Sequence, residues 1–231
     1  IPSEMKVEKI IITEDGSHTM KLEGIQEHYH STFGALSESM HVFIGAGLHH
    51  LKTSGLNNIN ILEIGFGTGL NALLSICDSW AQDTNIAYTT IEAYPLEEEV
   101  WSRLNYPGLM KHDLGEKWFE MLHIAPWNDS MKISEYFMFT KLKIDLLDFT
   151  DDPDKYNLIY FDAFGPDIQP ELWTEEIFTK IAEMTAGGGV LVTYSAKGSV
   201  RRAMQTAGFV VERIPGPKGK REMLRGVLEM R

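Results

Sequence analysis

The chain has a single cysteine, Cys77, in 231 residues, so no disulfide can form within it. Cys77 falls on the helical face of Leu70, Leu73 and Leu74, which marks a packed thiol rather than a nucleophile. Positive charge is also scarce: 21 Lys and Arg against 33 Asp and Glu leave a net charge of −12, which argues against indiscriminate nucleic-acid binding. No apolar run approaches the roughly 20 residues of a membrane span. The first residues lack the basic start and apolar stretch of a signal peptide, so a soluble, cytoplasmic protein is expected. Gly-x-Ser-x-Gly and Gly-x-x-x-x-Gly-Lys-Ser/Thr are both absent, which excludes the nucleophile elbow and the nucleotide phosphate loop. Six of the eight histidines fall in the first 50 residues, yet no Cys and no His-Glu-x-x-His accompanies them, so no metal is expected.

What is present is a glycine-rich stretch, Glu63-Ile64-Gly65-Phe66-Gly67-Thr68-Gly69-Leu70-Asn71, between an apolar run at 60–64 and an amphipathic segment at 70–80. This predicts strand, tight turn and helix. Glycine tolerates positive φ and lets backbone approach a ligand, while N–H groups at the helix start attract an anion. The Gly-x-Gly-x-Gly spacing, preceded by an acid, differs from the dinucleotide form and favours S-adenosylmethionine.

With 43% hydrophobic residues the chain can bury one full domain plus a modest appendage. Residues 1–57 show no α/β alternation and predict an extension, with a strand near Val7, Ile10, Ile11 and Ile12, a hairpin return over 18–25, and a helix over 37–51 placed to lid the glycine loop. Residues 58–231 predict the main domain. Strands are expected at 86–91, 136–144, 156–161, 190–194, 210–214 and 221–229. Helices are expected after Pro95 through 104, at 116–122, after a Thr174 cap to 184, and after a Ser199 cap to Gly208, with a turn at 187–189. Alternating strands and helices make a doubly wound, mostly parallel seven-stranded α/β sheet with an antiparallel last strand, of the Rossmann-like methyltransferase class.

Ligands of such sheets bind at the carboxyl ends of the strands. Those ends carry the glycine loop, Glu92, Asp145 and Asp162. The loop suits the methionine end of S-adenosylmethionine, Glu92 the ribose and Asp145 the adenine amino group. Asp162, in the turn Asp162-Ala163-Phe164-Gly165-Pro166, then lies near the sulfonium methyl. An acid followed by an aromatic and a proline resembles the turn with which N-methyltransferases hold an amine, and a carboxylate there can take the proton that silences the nitrogen lone pair. The residues alone leave three readings open: methylation of a nucleic-acid amine, methylation of a small-molecule amine, and cofactor binding without catalysis.

Longer stretches resemble one family, the methyltransferase domain of MnmC, the tRNA 5-methylaminomethyluridine biosynthesis enzyme. They are EIGFGTGLN from Glu63, EAYPL from Glu92, DAFGPDIQPELWT from Asp162, the segment 187–209, and KGKREML from Lys218. Phe33-Gly34-Ala35-Leu36-Ser37-Glu38-Ser39 and Val42-Phe43-Ile44 fit the same family. The resemblance implies methyl transfer to the 5-aminomethyl nitrogen of a wobble uridine in tRNA. It implies Asp162 as the catalytic acid. Glu63, Gly65, Phe66, Gly67, Thr68, Gly69, Asn71, Glu92 and Asp145 are implied at the cofactor, and Phe164, Pro166, Lys218, Lys220 and Arg221 on the substrate side. Bifunctional members carry a flavin-dependent oxidase after this domain. A stand-alone domain is expected here, with the aminomethyl group supplied by another enzyme.

Overall fold

The computed structural model describes residues 7–24 and 28–230. Strands β1 (Val7–Ile12) and β2 (His18–Leu22) form an antiparallel ribbon of their own. Asp15 closes the turn between them by accepting from the Ser17 N–H and hydroxyl. β2 ends at Leu22, and the expected end of the hairpin at Ile25 lies outside the described residues.

A continuous helical run follows, made of α1 (Ala35–Ser39), a π-helix (Met40–His49) and α2 (His50–Lys52). The helix predicted over 37–51 is therefore there, and its π-helical part packs on β7, β8 and the helix at 70–81. Val42, Phe43, Ile44 and Leu48 are all buried. Gly47 sets the close approach, since a Cβ at that position would stand 3.0 Å from the Val192 side chain.

The remaining strands are β3 (Asn58–Ile64), β4 (Asn85–Ile91), β5 (Asp129–Ser134), β6 (Phe137–Leu142), β7 (Tyr156–Phe161), β8 (Thr185–Thr193), β9 (Phe209–Pro215) and β10 (Glu222–Leu228). They form one sheet in the order β5-β6-β4-β3-β7-β8-β10-β9. The five from β6 to β8 are parallel, and β10 runs antiparallel between β8 and β9, as the alternation predicts. The sheet has eight strands rather than seven, because β5 adds an antiparallel edge beside β6. Half of its residues, DSMKIS, are exposed, and it offers no apolar run to reveal it.

Alternate strand residues feed two cores. Ile61, Tyr88, Phe139, Tyr160 and Val192 face the π-helix, α3 (Leu70–Ala81) and α6 (Gly115–Ile124). Ile64, Ile91, Ile159, Phe161 and Leu191 face α7 (Glu175–Met184) and α8 (Gly198–Thr206). Burial on both sides explains why the central strands are near-continuous apolar runs.

Three local expectations change. Pro95 does not open a helix: the chain is still non-helical at Glu97, and only the single turn α4 (Glu98–Trp101) follows, before another in α5 (Tyr106–Leu109). Gly187, Gly188 and Gly189 lie inside β8, where the register against β7 shifts. Lys197, not Ser199, stands at the start of α8, while Thr174 does cap α7 by accepting from the Ile177 N–H at 3.3 Å. Half-buried Cys77 packs against the core, and burial pushes its thiol up to about 11.

Candidate active site

The strand order reverses direction between β3 and β7, and open α/β sheets bind ligands at such a point, outside the carboxyl ends. A cavity of about 380 Å³ lies there, in the range that holds small ligands. On one side it is built from backbone. Gly65, Gly67 and Gly69 all hold left-handed φ, at 93°, 49° and 73°. Gly65 has no alternative, because a Cβ would come within 2.9 Å of the Asp162 carbonyl oxygen. The Gly67 N–H donates to Glu92 Oε2 at 2.9 Å, and the Tyr94 N–H donates to Oε1 at 2.8 Å. Burial raises the Glu92 pKa while these backbone donors pull it down. A carboxylate offers about four acceptor positions, and with the Ala93 N–H also bonded here one remains for a ligand hydroxyl. Asp145, after β6, also lines the cavity and accepts from the Leu147 N–H at 2.9 Å.

The other side is built from side chains. Asp162, just past β7, faces the cavity and accepts at Oδ2 from the Asn71 amide at 2.8 Å. Burial and the neighbouring Glu63 charge hold its carboxyl well above the usual range, against the Asn71 hydrogen bond. The turn that carries it is held at several points. The Asp162 N–H donates to the Ile64 carbonyl at 3.1 Å, and the Tyr194 hydroxyl donates to the Ala163 carbonyl at 2.9 Å. The Phe164 N–H donates to Gln169 Oε1 at 3.1 Å, and Trp173 Nε1–H donates to the Phe164 carbonyl at 2.8 Å. Such a turn presents its acid in one geometry, without reorganisation during reaction.

Of the residues singled out in sequence, Gly65, Phe66, Gly67, Thr68, Asn71, Glu92, Asp145, Asp162, Phe164 and Lys220 line this one cavity. Glu63, Gly69, Pro166, Lys218 and Arg221 do not. Glu63 is wholly buried beneath the loop, and Gly69 starts α3. Lys218 and Lys220, expected to face a polyanion, each hold an acid of the N-terminal segment at 2.7 Å, Glu14 and Glu38 respectively. Lys220 Nζ also sits 3.9 Å from the centre of the Tyr194 ring. Arg221 is exposed.

Sequence reasoning missed the segment 28–33 and Glu38, which close this side. The Tyr29 ring meets Phe164 edge-on at 5.1 Å and covers Gly67. Buried His30 bonds Thr68 Oγ1 at 2.8 Å, and Phe33 lies against Gly219. Nothing local in 28–33 announces this. Tyr194, by contrast, directly follows β8, so the strand-end rule that found Glu92 and Asp162 would have found it.

The profile of a family of S-adenosyl-L-methionine-dependent methyltransferases matches residues 111–229, just over half the chain. Among curated relatives, the tRNA 5-methylaminomethyl-2-thiouridine biosynthesis bifunctional protein MnmC of Aromatoleum aromaticum is 29% identical over 94% of this chain and 35% of its own length. The protein of that name from an Azoarcus species is 32% identical over 92% of this chain and 34% of its own. The chain thus spans about a third of the length of these relatives. The crystal structure of MnmC2 from Aquifex aeolicus superposes with a TM-score of 0.77 at 26% identity, covering all of this chain and 73% of that one. The cavity suits the cofactor of the family: a cradle of left-handed glycines, an acid with an acceptor position to spare for a ribose hydroxyl, and acidic side chains to offset a sulfonium. The chain belongs to the S-adenosyl-L-methionine-dependent methyltransferases, and S-adenosylmethionine is its cofactor.

Proposed function

We propose that this methyltransferase converts the 5-aminomethyl group of a wobble uridine in tRNA to 5-methylaminomethyl, in the cytoplasm. The observation that carries the chemistry is Asp162, a cavity-facing carboxyl on a turn held by side chains beside the glycine cradle. The tRNA rests on the relatives' names and on the resemblance at Lys218 to Leu224. When bound, S-adenosylmethionine would supply a methyl carbon on a sulfonium, the N–C bond forming as the C–S bond breaks with its electron pair left on sulfur. Asp162 takes a proton from the aminomethyl ammonium and frees the lone pair. The Tyr194, Gln169 and Trp173 contacts hold the backbone of the turn and Asn71 holds the carboxyl itself, and alignment of this kind supplies much of the rate. Glu92 and the glycine backbone would hold the ribose and methionine ends, with Asp145 at the adenine.

The test is incubation with labelled S-adenosylmethionine and tRNA bearing 5-aminomethyluridine, followed by nucleoside analysis. Labelled 5-methylaminomethyluridine is the expected product, and its absence where the cofactor binds would sink the tRNA reading. A second reading, a small-molecule amine as acceptor, draws on the pairing of Lys218 and Lys220 with Glu14 and Glu38 and on the net charge of −12. Equal turnover of free 5-aminomethyluridine and of tRNA would favour it.

A further inference from the structure

Beneath the glycine loop lies a set of buried polar atoms that no contact accounts for. Glu63 is completely buried on β3, and neither of its carboxyl oxygens has a hydrogen-bond partner. Its neighbours across the sheet are Thr90 on β4 and Tyr160 on β7. The Thr90 and Tyr88 hydroxyls adjoin the same carboxyl, and both also lack a partner. From above comes Asn71 of α3, whose amide lies against Glu63. Its Nδ2 donates to Asp162 at 2.8 Å, while its Oδ1 is buried with no donor. One amide thus lies between two buried carboxyls, and its Oδ1 and both Glu63 oxygens are left without partners. Such a dry set is costly unless one carboxyl carries a proton that it can donate.

We propose that Glu63 and Asp162 share one proton across the Asn71 amide, and that it resides on Glu63, leaving Asp162 as the ionised member that meets the amine. The protonated Glu63 donates to Asn71 Oδ1, which fixes the amide with its Nδ2 toward Asp162. Glu63 is thus a positioning residue, acting on the reaction through Asn71. The inference rests on the proposed role of Asp162. Burial raises both carboxyls, so the pair holds a proton. Burial pushes Glu63 up to about 8 against the pull of Thr90, Asn71 and Tyr88, with the Glu92 charge adding to the rise. Glu63 is in turn the largest charge effect on Asp162, ahead of Glu38 and the opposing Lys220. Two like charges coupled this closely ionise as a pair, and neutralising one leaves the other free to ionise.

Infrared titration of the cofactor-bound protein without tRNA tests the proton directly. Wild type should show the carbonyl stretch of a protonated, buried carboxyl that fades as pH rises through about 8. The band should persist in Asp162→Asn and vanish in Glu63→Gln. A band absent from wild type, or one that follows Asp162 instead, overturns the proposal whatever the enzyme methylates. In turnover, Glu63→Ala should lose about ten-fold or more in kcat, and Glu63→Gln, a permanent neutral donor, should recover to within about three-fold. The Glu63→Gln rate relative to wild type should rise about ten-fold between pH 7 and pH 9, as only wild type loses the proton. A flat ratio, or Glu63→Gln losing cofactor affinity as badly as Glu63→Ala, would make Glu63 an anionic ligand and end the idea. No turnover by wild type on any aminomethyluridine defeats the substrate reading but leaves the infrared result standing.

Discussion

The two sides of the cavity are made of different material. The cofactor side is backbone from one short stretch, with left-handed glycines at 65, 67 and 69 braced by Glu92 one strand away. The acceptor side is side chain from distant segments: Tyr29 and Glu38 near the start, Asp162 and Phe164 in the middle, Tyr194 and Lys220 near the end. Backbone geometry is set by local sequence, so the first side is intolerant of change at its left-handed glycines. The second side depends on ion pairs and hydrogen bonds between segments, so it offers many points at which substrate choice can change while cofactor binding stays intact.

The sharpest way to separate the sides is Asp162→Asn. An amide keeps the shape and cannot take a proton, so kcat should fall about 10³-fold while cofactor affinity stays within a few-fold, measured by single turnover and calorimetry. Equal losses in both would mean that the sides are one unit.

A pH test addresses the joint between them. His30 joins the N-terminal segment to Thr68 of the loop, and burial lowers its pKa to about 4. Its folded value lies below the unfolded 6.5, so the unfolded chain binds more protons between the two. The stability this group contributes is fully present above pH 6.5 and is lost as pH falls toward 4, about 3 kcal/mol in all. His123, also pushed to about 4 by burial, adds a similar slope behind Gly69. Denaturant midpoints measured from pH 7 to pH 4 should fall accordingly, and His30→Gln should flatten part of the slope. An unchanged slope would place the acid sensitivity elsewhere.

The same division governs what was legible. Glycine spacing and strand-end acids are local signals, so the fold, the cradle, Glu92 and Asp162 could be read from the chain. β5 could not, since an exposed edge strand carries no apolar run. Nor could the ion pairs, because Lys220 and Glu38 are 182 positions apart and only the packing of α1 beside the last loop brings them together. The lysines looked like a free basic surface because sequence shows charge but not its partner.

Lys220→Met breaks the acceptor side without touching the cradle. Its Glu38 partner has a side chain only 8% exposed, and leaving that charge unpaired is costly. The Tyr194 ring, whose hydroxyl holds the Ala163 carbonyl, loses its cation as well. KM for tRNA should rise about ten-fold with cofactor affinity unchanged, and the double variant Lys220→Met, Glu38→Gln should recover part of the loss. Failure of the double variant to recover would mean that Lys220 acts on the RNA directly and not through Glu38.

Lys218→Ala should have the smallest effect. Its pair with Glu14 joins side chains 67% and 52% exposed, and such surface pairs contribute about 1 kcal/mol or less, so melting should barely move. RNA is the partner with more to lose. A phosphate outbids Glu14 for Lys218 only if tRNA binding releases a counterion there, and then Lys218→Ala lowers the slope of log K against log salt by about one. An unchanged slope together with unchanged melting would leave Lys218 with no part on the acceptor side, and Arg221, exposed three residues further on, would become the cation to test.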